Sequence, residues 1–269
     1  MSSSSIGRGR LLRYTADRSS VTYVLATFAA HLLVLTCASP TVAAICVVPL
    51  FLSSVLVAPL NHHHQHLGVF HSRGLNRVYD IVLALLTGIG PYAWVLHHNL
   101  GHHQNYLNQP PKAPADESRW TRADGSLMGR IEYSLHLLVL HQVDIVRVGL
   151  KHPKVFRSYL LMKLPLYALI ALGLYFYGVV FLFAFLVPGF LTLVHTCWAT
   201  YEHHAGHHAD DHFSASVNRE NRLLNILNWN LGYHTAHHLR PGVHWSLLPE
   251  LHASIRSRIP EEQLLSTFW

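Results

Sequence analysis

The sequence predicts an all-α membrane protein with two transmembrane helical hairpins, interfacial helices and a histidine-rich cap. Three observations carry this prediction. Four apolar runs each approach the span of about 20 residues that a bilayer requires. Only 13% of the 269 residues are charged, which is low for a soluble domain. The chain also has 24 histidines, more than its 20 lysines and arginines or its 14 acidic residues.

The four spans pair into two hairpins because only short breaks separate the members of each pair. Ser39-Pro40 interrupts the first pair, since proline cannot continue a helix, and Gly178 marks the turn of the second pair. The predicted spans are Val21–Ala38, Val42–Leu60, Tyr159–Tyr177 and Val179–Trp198.

Two further segments are rich in apolar residues but are not predicted to cross. Val78–Leu96 carries Asp80 near its start and contains two glycines and Pro91 in its second half. These residues weaken a continuous helix. We expect this segment to be interfacial or re-entrant. Ile131–Leu150 carries Glu132, His136, His141, Asp144 and Arg147, and is therefore predicted to be an amphipathic surface helix.

The distribution of basic residues predicts the orientation in the membrane. The turns at Ser39-Pro40 and Gly178 carry no lysine or arginine, whereas the N-terminus, the middle region and the C-terminal region carry all of them apart from Lys163, near the start of the third span. The positive-inside rule therefore places both termini and the loop between the hairpins in the cytoplasm.

The basic residues form no long run, so nucleic acid is not an expected partner. We expect a disordered basic N-terminus at 1–20, one membrane domain at 21–258 and a tail at 259–269.

Sixteen of the 24 histidines fall in four short windows. One follows the second span, one follows the interfacial segment, one follows the fourth span, and one lies near the C-terminus. All four lie on the cytoplasmic side in the predicted topology. The windows are Asn61–His66, His97–His103, Glu202–His212 and Asn230–His238.

The spacing of these histidines suits helices that present several imidazoles on one face. Residues three or four apart lie on the same side of an α-helix, and three windows contain such pairs. They supply eight candidate nitrogens, which exceeds the needs of one metal, so a di-metal site is predicted. Ligand type alone allows iron, copper, nickel or zinc. The eight residues are His62, His66, His98, His102, His103, His234, His237 and His238.

These patterns resemble the histidine boxes of the membrane fatty acid desaturase and hydroxylase superfamily. The stretch Asn228–Leu251 is similar to the last box of acyl-lipid desaturases over its whole length, and Glu202-His203 resembles an extra motif of the alkane hydroxylase branch. The resemblance covers roughly Asn61 to Leu251, although the chain is short for the family. The boxes are HxxxH at His62–His66, HxxxHH at His98–His103 and HxxHH at His234–His238.

The resemblance implies two non-haem irons, dioxygen, and oxidation of an unactivated C–H bond in a fatty acyl chain. Desaturation to an alkene is the expected outcome; hydroxylation, or oxidative decarboxylation to a terminal alkene, would use the same site. His63 and His64 are alternative ligands in the first window, and His204, His207 and His208 are alternatives to His203. The ligands implied by the resemblance are His62, His66, His98, His102, His103, His203, His234, His237 and His238.

Several residues beside these ligands are candidates for a supporting role. Glu202, Asp210 and Asp211 could hold the second ring nitrogen of a ligand, although solvation is an equal explanation for the two aspartates. Asn230 and Tyr233 could line the site or pack helices. The sequence has only three cysteines and no nucleotide-binding glycine motif, so electrons are expected from a soluble ferredoxin-like carrier.

Two other classes of protein remain as alternatives. A histidine-rich metal transporter would carry ionisable residues along a path through the membrane, but only His31 lies deep in a predicted span. A zinc hydrolase would be expected to include a carboxylate base, whereas the predicted ligands are all histidines. Both alternatives are therefore disfavoured against a membrane oxidase.

Overall fold

The computed structural model describes residues 10–207 and 211–268. The candidates His208 and Asp210 and residues 1–9 of the predicted N-terminal tail lie outside the described residues. The described residues are 69% helical with almost no strand, which confirms the predicted all-α class. It divides into two units, residues 1–93 with 154–195 and residues 94–153 with 196–269.

The described helices follow one another in this order. The α-helices are α1 (Asp17–Cys37), α2 (Pro40–Val55), α3 (Ala58–His66), α4 (Arg73–Thr87), α5 (His103–Asn105), α6 (Arg130–Lys151), α7 (Pro153–Tyr177), α8 (Val179–Phe181), α9 (Val187–His204), α10 (Arg222–Leu227), α11 (His234–Leu239) and α12 (Leu248–Ile255). π-Helices occupy Val95–His102 and Leu182–Leu186, and 3₁₀ turns occupy Trp245–Leu247, Arg256–Arg258 and Glu261–Gln263. The strands β1 (Asn218–Arg219) and β2 (Leu264–Leu265) pair in parallel.

Within the described residues, four helical segments are long and apolar enough to cross a membrane, which confirms the four predicted spans. The second and fourth extend further than predicted, to His66 and His204, so the first and third histidine windows begin as helix. The segments are Asp17–Cys37, Pro40–His66, Pro153–Tyr177 and Val179–His204.

Local chemistry explains the two hairpin turns. The Ser39 hydroxyl caps α2 by accepting a hydrogen bond from the Val42 amide at 3.4 Å, and Pro40 occupies the first turn, where its missing N–H costs nothing. Gly178 adopts a φ of 51°, a conformation that side chains disfavour. Each hairpin is thus reversed by one or two residues that stop the preceding helix.

A buried histidine ties three segments of the first unit together. The His31 ring bonds through Nδ1 with the Ala184 carbonyl at 2.5 Å and through Nε2 with the Ser54 hydroxyl at 3.2 Å. Ala184 lies in the π-helix Leu182–Leu186, whose altered pattern of hydrogen bonds leaves backbone groups available for other partners. His31 therefore joins α1, α2 and this π-helix.

Helix α4 has the dimensions of an interfacial element. Its fifteen residues extend about 22 Å, short of a hydrocarbon core of about 30 Å. It ends at Gly88, whose φ is 70° and where an added Cβ would lie 2.6 Å from the Gly189 carbonyl oxygen. α4 is not among the candidate spans found in the described residues.

In the second unit, α6 has the predicted amphipathic character. Ile131, Val139 and Leu150 are 67%, 68% and 71% exposed and share one side, whereas the polar residues Ser134 and Asp144 are buried on the other. The C-terminal helices enclose a small core. Its buried members are Phe213, Ala236, Leu248, Ile255 and Ile259.

Candidate metal centre

The second histidine box lies on a π-helix rather than an α-helix. The His103 amide donates to the His98 carbonyl five residues earlier, the bond that defines this helix type. Side chains five apart therefore come together, and Nε2 of His98 lies 2.9 Å from Nε2 of His103. His102, which sequence spacing pairs with His98, directs its Nε2 toward His204 instead.

A first group of buried histidines forms around His204. The ligating nitrogens of His102, His204 and His238 all lie within 4.8 Å of one another. Nε2 of His204 is 3.2 Å from that of His102 and 3.1 Å from that of His238. His234 joins the group, with its Nε2 3.0 Å from His204 Nε2 and 3.1 Å from His238 Nε2.

The outer nitrogens of two of these rings have acceptors that fix their protons. Nδ1 of His102 lies 2.9 Å and 3.0 Å from the two oxygens of Asp116, which is fully buried. Nδ1 of His204 donates to the Ala215 carbonyl at 2.9 Å. A neutral imidazole carries one proton, so both Nε2 atoms present lone pairs to each other across 3.2 Å.

This arrangement fits a metal ion. Two facing lone pairs repel unless a cation lies between them. Metal–imidazole bonds are about 2.1 Å long, so nitrogens on one ion lie about 3.0 Å apart at right angles and about 3.4 Å apart in a tetrahedron. The separations around His204, from 3.0 to 3.2 Å, fall in that range.

Electrostatics also favours the neutral, metal-binding form of His238. Burial, followed by the neighbouring His103 and His204, holds the pKa of His238 well below its usual value. The carboxyl group of Glu117, next to Asp116 in the chain, is affected in the same buried region. Burial and the adjacent Asp116 carboxylate raise its pKa. Metal binding requires a deprotonated imidazole nitrogen, so the site needs no proton release from His238 at neutral pH.

A second group lies in the same unit. Nε2 of His103 is 2.9 Å from Nε2 of His98 and 3.0 Å from Nε2 of His237. The rings of His98 and His237 are nearly parallel, with an angle of 7° between them. Three nitrogens thus converge at spacings that again suit one ion.

Helix α11 supplies both groups. His237 and His238 are adjacent, and successive residues on an α-helix point about 100° apart. His237 accordingly faces His103, whereas His238 and His234, four residues apart, face His204. The three histidines of this box therefore serve two groups rather than one point.

In the third window the structure brings His204 into the first group. His203, which the sequence analysis named first, stacks its ring on His234 with centroids 4.0 Å apart, and its carbonyl accepts from the Val217 amide at 2.9 Å. The His207 amide donates to the His204 carbonyl at 3.1 Å. The alternative ligand His204 thus has the geometry expected for His203.

The first window lies in the other unit and contains one converging pair. Nε2 of His62 and of His66 are 3.2 Å apart. His63 packs beside His62 with ring centroids 5.4 Å apart. His64 Nδ1 accepts from the Val69 amide at 3.2 Å and its Nε2 lies 3.3 Å from Asp80, so both nitrogens of this alternative ligand already have partners.

The supporting residues suggested by the sequence have other contacts. Glu202 forms ion pairs with Arg130 and with Arg219, the latter at 2.7 Å. The side-chain nitrogen of Asn230 donates to the Trp245 carbonyl at 3.1 Å, and the Tyr233 ring packs 4.7 Å from that of His252. Asp211 is exposed, and its backbone carbonyl accepts from Ser214.

Two residues that are not among the predicted ligands or supporting residues do reach the first group. Asp116 holds His102, and Trp120 stacks on the His204 ring at 5.5 Å with an interplanar angle of 11°. Both come from the loop 106–129, which shows no periodic pattern. The one available signal was chemical, since a metal-bound histidine needs a partner for its second nitrogen and Asp116 follows His102 closely in the chain.

Comparison with known proteins agrees with this site. The family model described as fatty acid desaturase matches residues 13–268. No curated protein and no solved structure matches the chain. Members of the family are integral-membrane, di-iron oxidoreductases that act on lipid substrates. Because the match spans nearly the whole chain, the protein belongs to the membrane fatty acid desaturase family.

Proposed function

We propose that this protein is an O₂-dependent di-iron oxidase that introduces a double bond into a fatty acyl chain. The observation that carries the proposal is the trio His102, His204 and His238 with its ring nitrogens converging. Asp116 and the Ala215 carbonyl hold two of these rings with Nε2 free for a metal. The family match and four helices of spanning character support the membrane and lipid part of the proposal.

The proposed ligand set contains nine histidines, with His204 in the place of His203. His102, His204, His234 and His238 would bind one iron. His98, His103 and His237 would belong to the second. His62 and His66 are proposed as the two remaining ligands because their nitrogens already converge.

The chain's own contribution is to hold the ligands, exclude water and position one carbon of the substrate. Bound iron would supply the activation of dioxygen and the oxidising power. The overall change removes two hydrogens from adjacent methylenes, consumes O₂, two electrons and two protons, and releases two waters. Buried Trp120 and Tyr106 cover the first group and restrict the access of water.

The two electrons are proposed to come from a soluble ferredoxin-like carrier. The cysteines Cys37, Cys46 and Cys197 are free thiols and lie too far apart in the sequence to form a cluster-binding set. We further propose that both termini and the metal centre are cytoplasmic, because the two hairpin turns lack basic residues. A cysteine introduced at Gly178 should then react with an impermeant thiol reagent added outside the cell.

The deciding experiment is expression with a ferredoxin reducing system, followed by mass spectrometry of lipids and volatiles. Desaturation gives an acyl chain lighter by two hydrogens. An alcohol would indicate hydroxylation, and a terminal alkene one carbon shorter would indicate decarboxylation. Purified protein should contain two irons per chain; one zinc and no iron would overturn the proposal.

A further inference from the structure

Four consecutive buried residues connect two of the histidine windows. We call Ala215–Asn218 the linking segment; Ala215, Ser216 and Asn218 are fully buried, and Val217 is nearly so. At its start, the Ala215 carbonyl accepts from His204 Nδ1 at 2.9 Å. The Val217 amide donates to the His203 carbonyl at 2.9 Å, which satisfies a free carbonyl at the end of α9.

The other end of the linking segment bonds to α11. The Asn218 side-chain oxygen accepts from the Thr235 amide at 3.0 Å, and its nitrogen donates to the Thr235 hydroxyl at 2.7 Å. Ser216 and Thr235 share a hydroxyl hydrogen bond at 2.8 Å. Thr235 is fully buried and lies directly after His234, within the HxxHH box.

These contacts compensate for a weakness of α11. A helix of only six residues has little stability of its own. Tyr233, at its N-cap position, makes no side-chain capping bond. Asn218 provides that bond instead, since capping side chains normally accept from the second or third amide of a helix, and Thr235 is the second residue of α11.

We propose that Asn218 is a positioning residue for the metal centre. Through Thr235 it sets the start and rotation of α11, and therefore the directions of His234 and His238 relative to His204. The same linking segment orients His204 through Ala215, so one short stretch aligns ligands from two windows. This inference rests on the proposed metal site; it assigns no chemical step to Asn218.

Asn218 and Thr235 offer two complementary substitutions. Asn218→Ala removes both bonds to Thr235. Thr235→Val keeps the shape of the side chain and removes only the hydroxyl, whereas Thr235→Ser keeps the hydroxyl. Thr192→Val is a matched control, because it deletes a buried hydroxyl that donates to the Pro188 carbonyl of its own helix at 2.9 Å.

The test uses full-length protein in detergent, stripped with chelator and titrated with Co²⁺ while its visible absorption is followed. Supporting contacts to metal ligands are typically worth about 10–100-fold in metal affinity. We expect Asn218→Ala and Thr235→Val to bind one of the two Co²⁺ ions with this loss in affinity. The visible spectrum of the bound cobalt should also change in both variants. Thr235→Ser and Thr192→Val should bind like the wild type.

The outcomes separate this inference from the proposed function. If the wild type binds no Co²⁺, the metal centre itself is refuted. If the wild type binds two ions and both Asn218→Ala and Thr235→Val match it in affinity and spectrum, Asn218 and Thr235 do not position ligands. If Thr235→Ser is as impaired as Thr235→Val, the hydroxyl bonds of Thr235 do not position them. Should Asn218→Ala fail to fold, the two Thr235 variants still decide whether the hydroxyl bond between Asn218 and Thr235 positions the ligands.

Discussion

Asp116 and His102 form a buried pair in which both carboxylate oxygens lie within 3.0 Å of the same ring nitrogen. The carboxylate is fully buried and the imidazole is 3% exposed. This contact fixes the His102 tautomer, so that the lone pair of its Nε2 faces His204. It is the strongest single indication that these rings are prepared for a cation.

We predict that Asp116→Asn weakens binding of one metal ion. The amide keeps the shape of the carboxylate but loses its charge, so His102 becomes a poorer donor. The expected loss in affinity is about 10–100-fold, measured by Co²⁺ titration of chelator-treated protein. Asp124→Asn is the control, because Asp124 is exposed and bonds within its own turn. Equal affinity in Asp116→Asn and the wild type would refute the role of this pair.

A second prediction separates two adjacent histidines. His204→Ala should lose one iron per chain and all desaturation, because its nitrogen is shared by three neighbouring rings. His203→Ala should retain both irons, because the hydrogen bond from the Val217 amide is accepted by the His203 backbone carbonyl, which alanine keeps. Iron content and lipid products are the measurements. A variant of His203 without iron, beside a normal His204 variant, would reverse the assignment.

A third prediction concerns the turn after α4. Gly88→Ala should lower the thermal unfolding midpoint, because φ is 70° and the new methyl would lie 2.6 Å from the Gly189 carbonyl. The backbone conformation costs about 1–2 kcal/mol and overpacking about 1–3 kcal/mol. Gly242→Ala is the control, since nothing lies within 4 Å of its added methyl. Identical midpoints for the two variants would contradict this account.

A fourth prediction is a pH dependence of stability. Arg256 donates two hydrogen bonds to Glu220, at 2.8 and 3.0 Å, and lowers the pKa of that carboxyl in the folded protein. A lowered pKa stabilises the fold above the ordinary value of 4.5, and this contribution is lost as pH falls through the folded pKa.

The pH prediction is tested by thermal unfolding in detergent across acidic pH. Glu220→Gln should be less stable than the wild type at neutral pH, and the difference should shrink as the medium is acidified. Glu262→Gln, at an exposed site, should follow the wild-type curve. A Glu220→Gln curve that runs parallel to the wild type at every pH would show that Arg256 does not control this carboxyl.

The sequence predicted the spans because length and apolarity decide them. Val42–Leu60 and Tyr159–Tyr177 carry their signal in composition alone, so their helices appear where expected. It also predicted a histidine-based metal site, since the windows combine dense histidine with helical spacing. His102, His234, His237 and His238 all lie in the groups that the structure forms.

The choice between neighbouring histidines depends on facts that spacing does not contain. His203 and His204 differ by about 100° of rotation on a helix, and the loop that meets them sets which one faces inward. Asp116 reaches His102 through an irregular loop, where no period indicates direction. The ion pairs of Glu202 likewise depend on Arg130 and Arg219, which are distant in sequence.

The π-helix Val95–His102 has a consequence for how such boxes evolve and are recognised. A π-turn is an α-turn that has accommodated one extra residue, and the insertion changes the angular phase of everything beyond it. Here that phase change lets His98 and His103 share one direction while His102 takes another. Deleting Asn99 would restore α-helical hydrogen bonding. His102 and His103 would then point in other directions around the helix axis, although every histidine would still be present. The number of residues in the box therefore determines the metal site as much as the histidines themselves do.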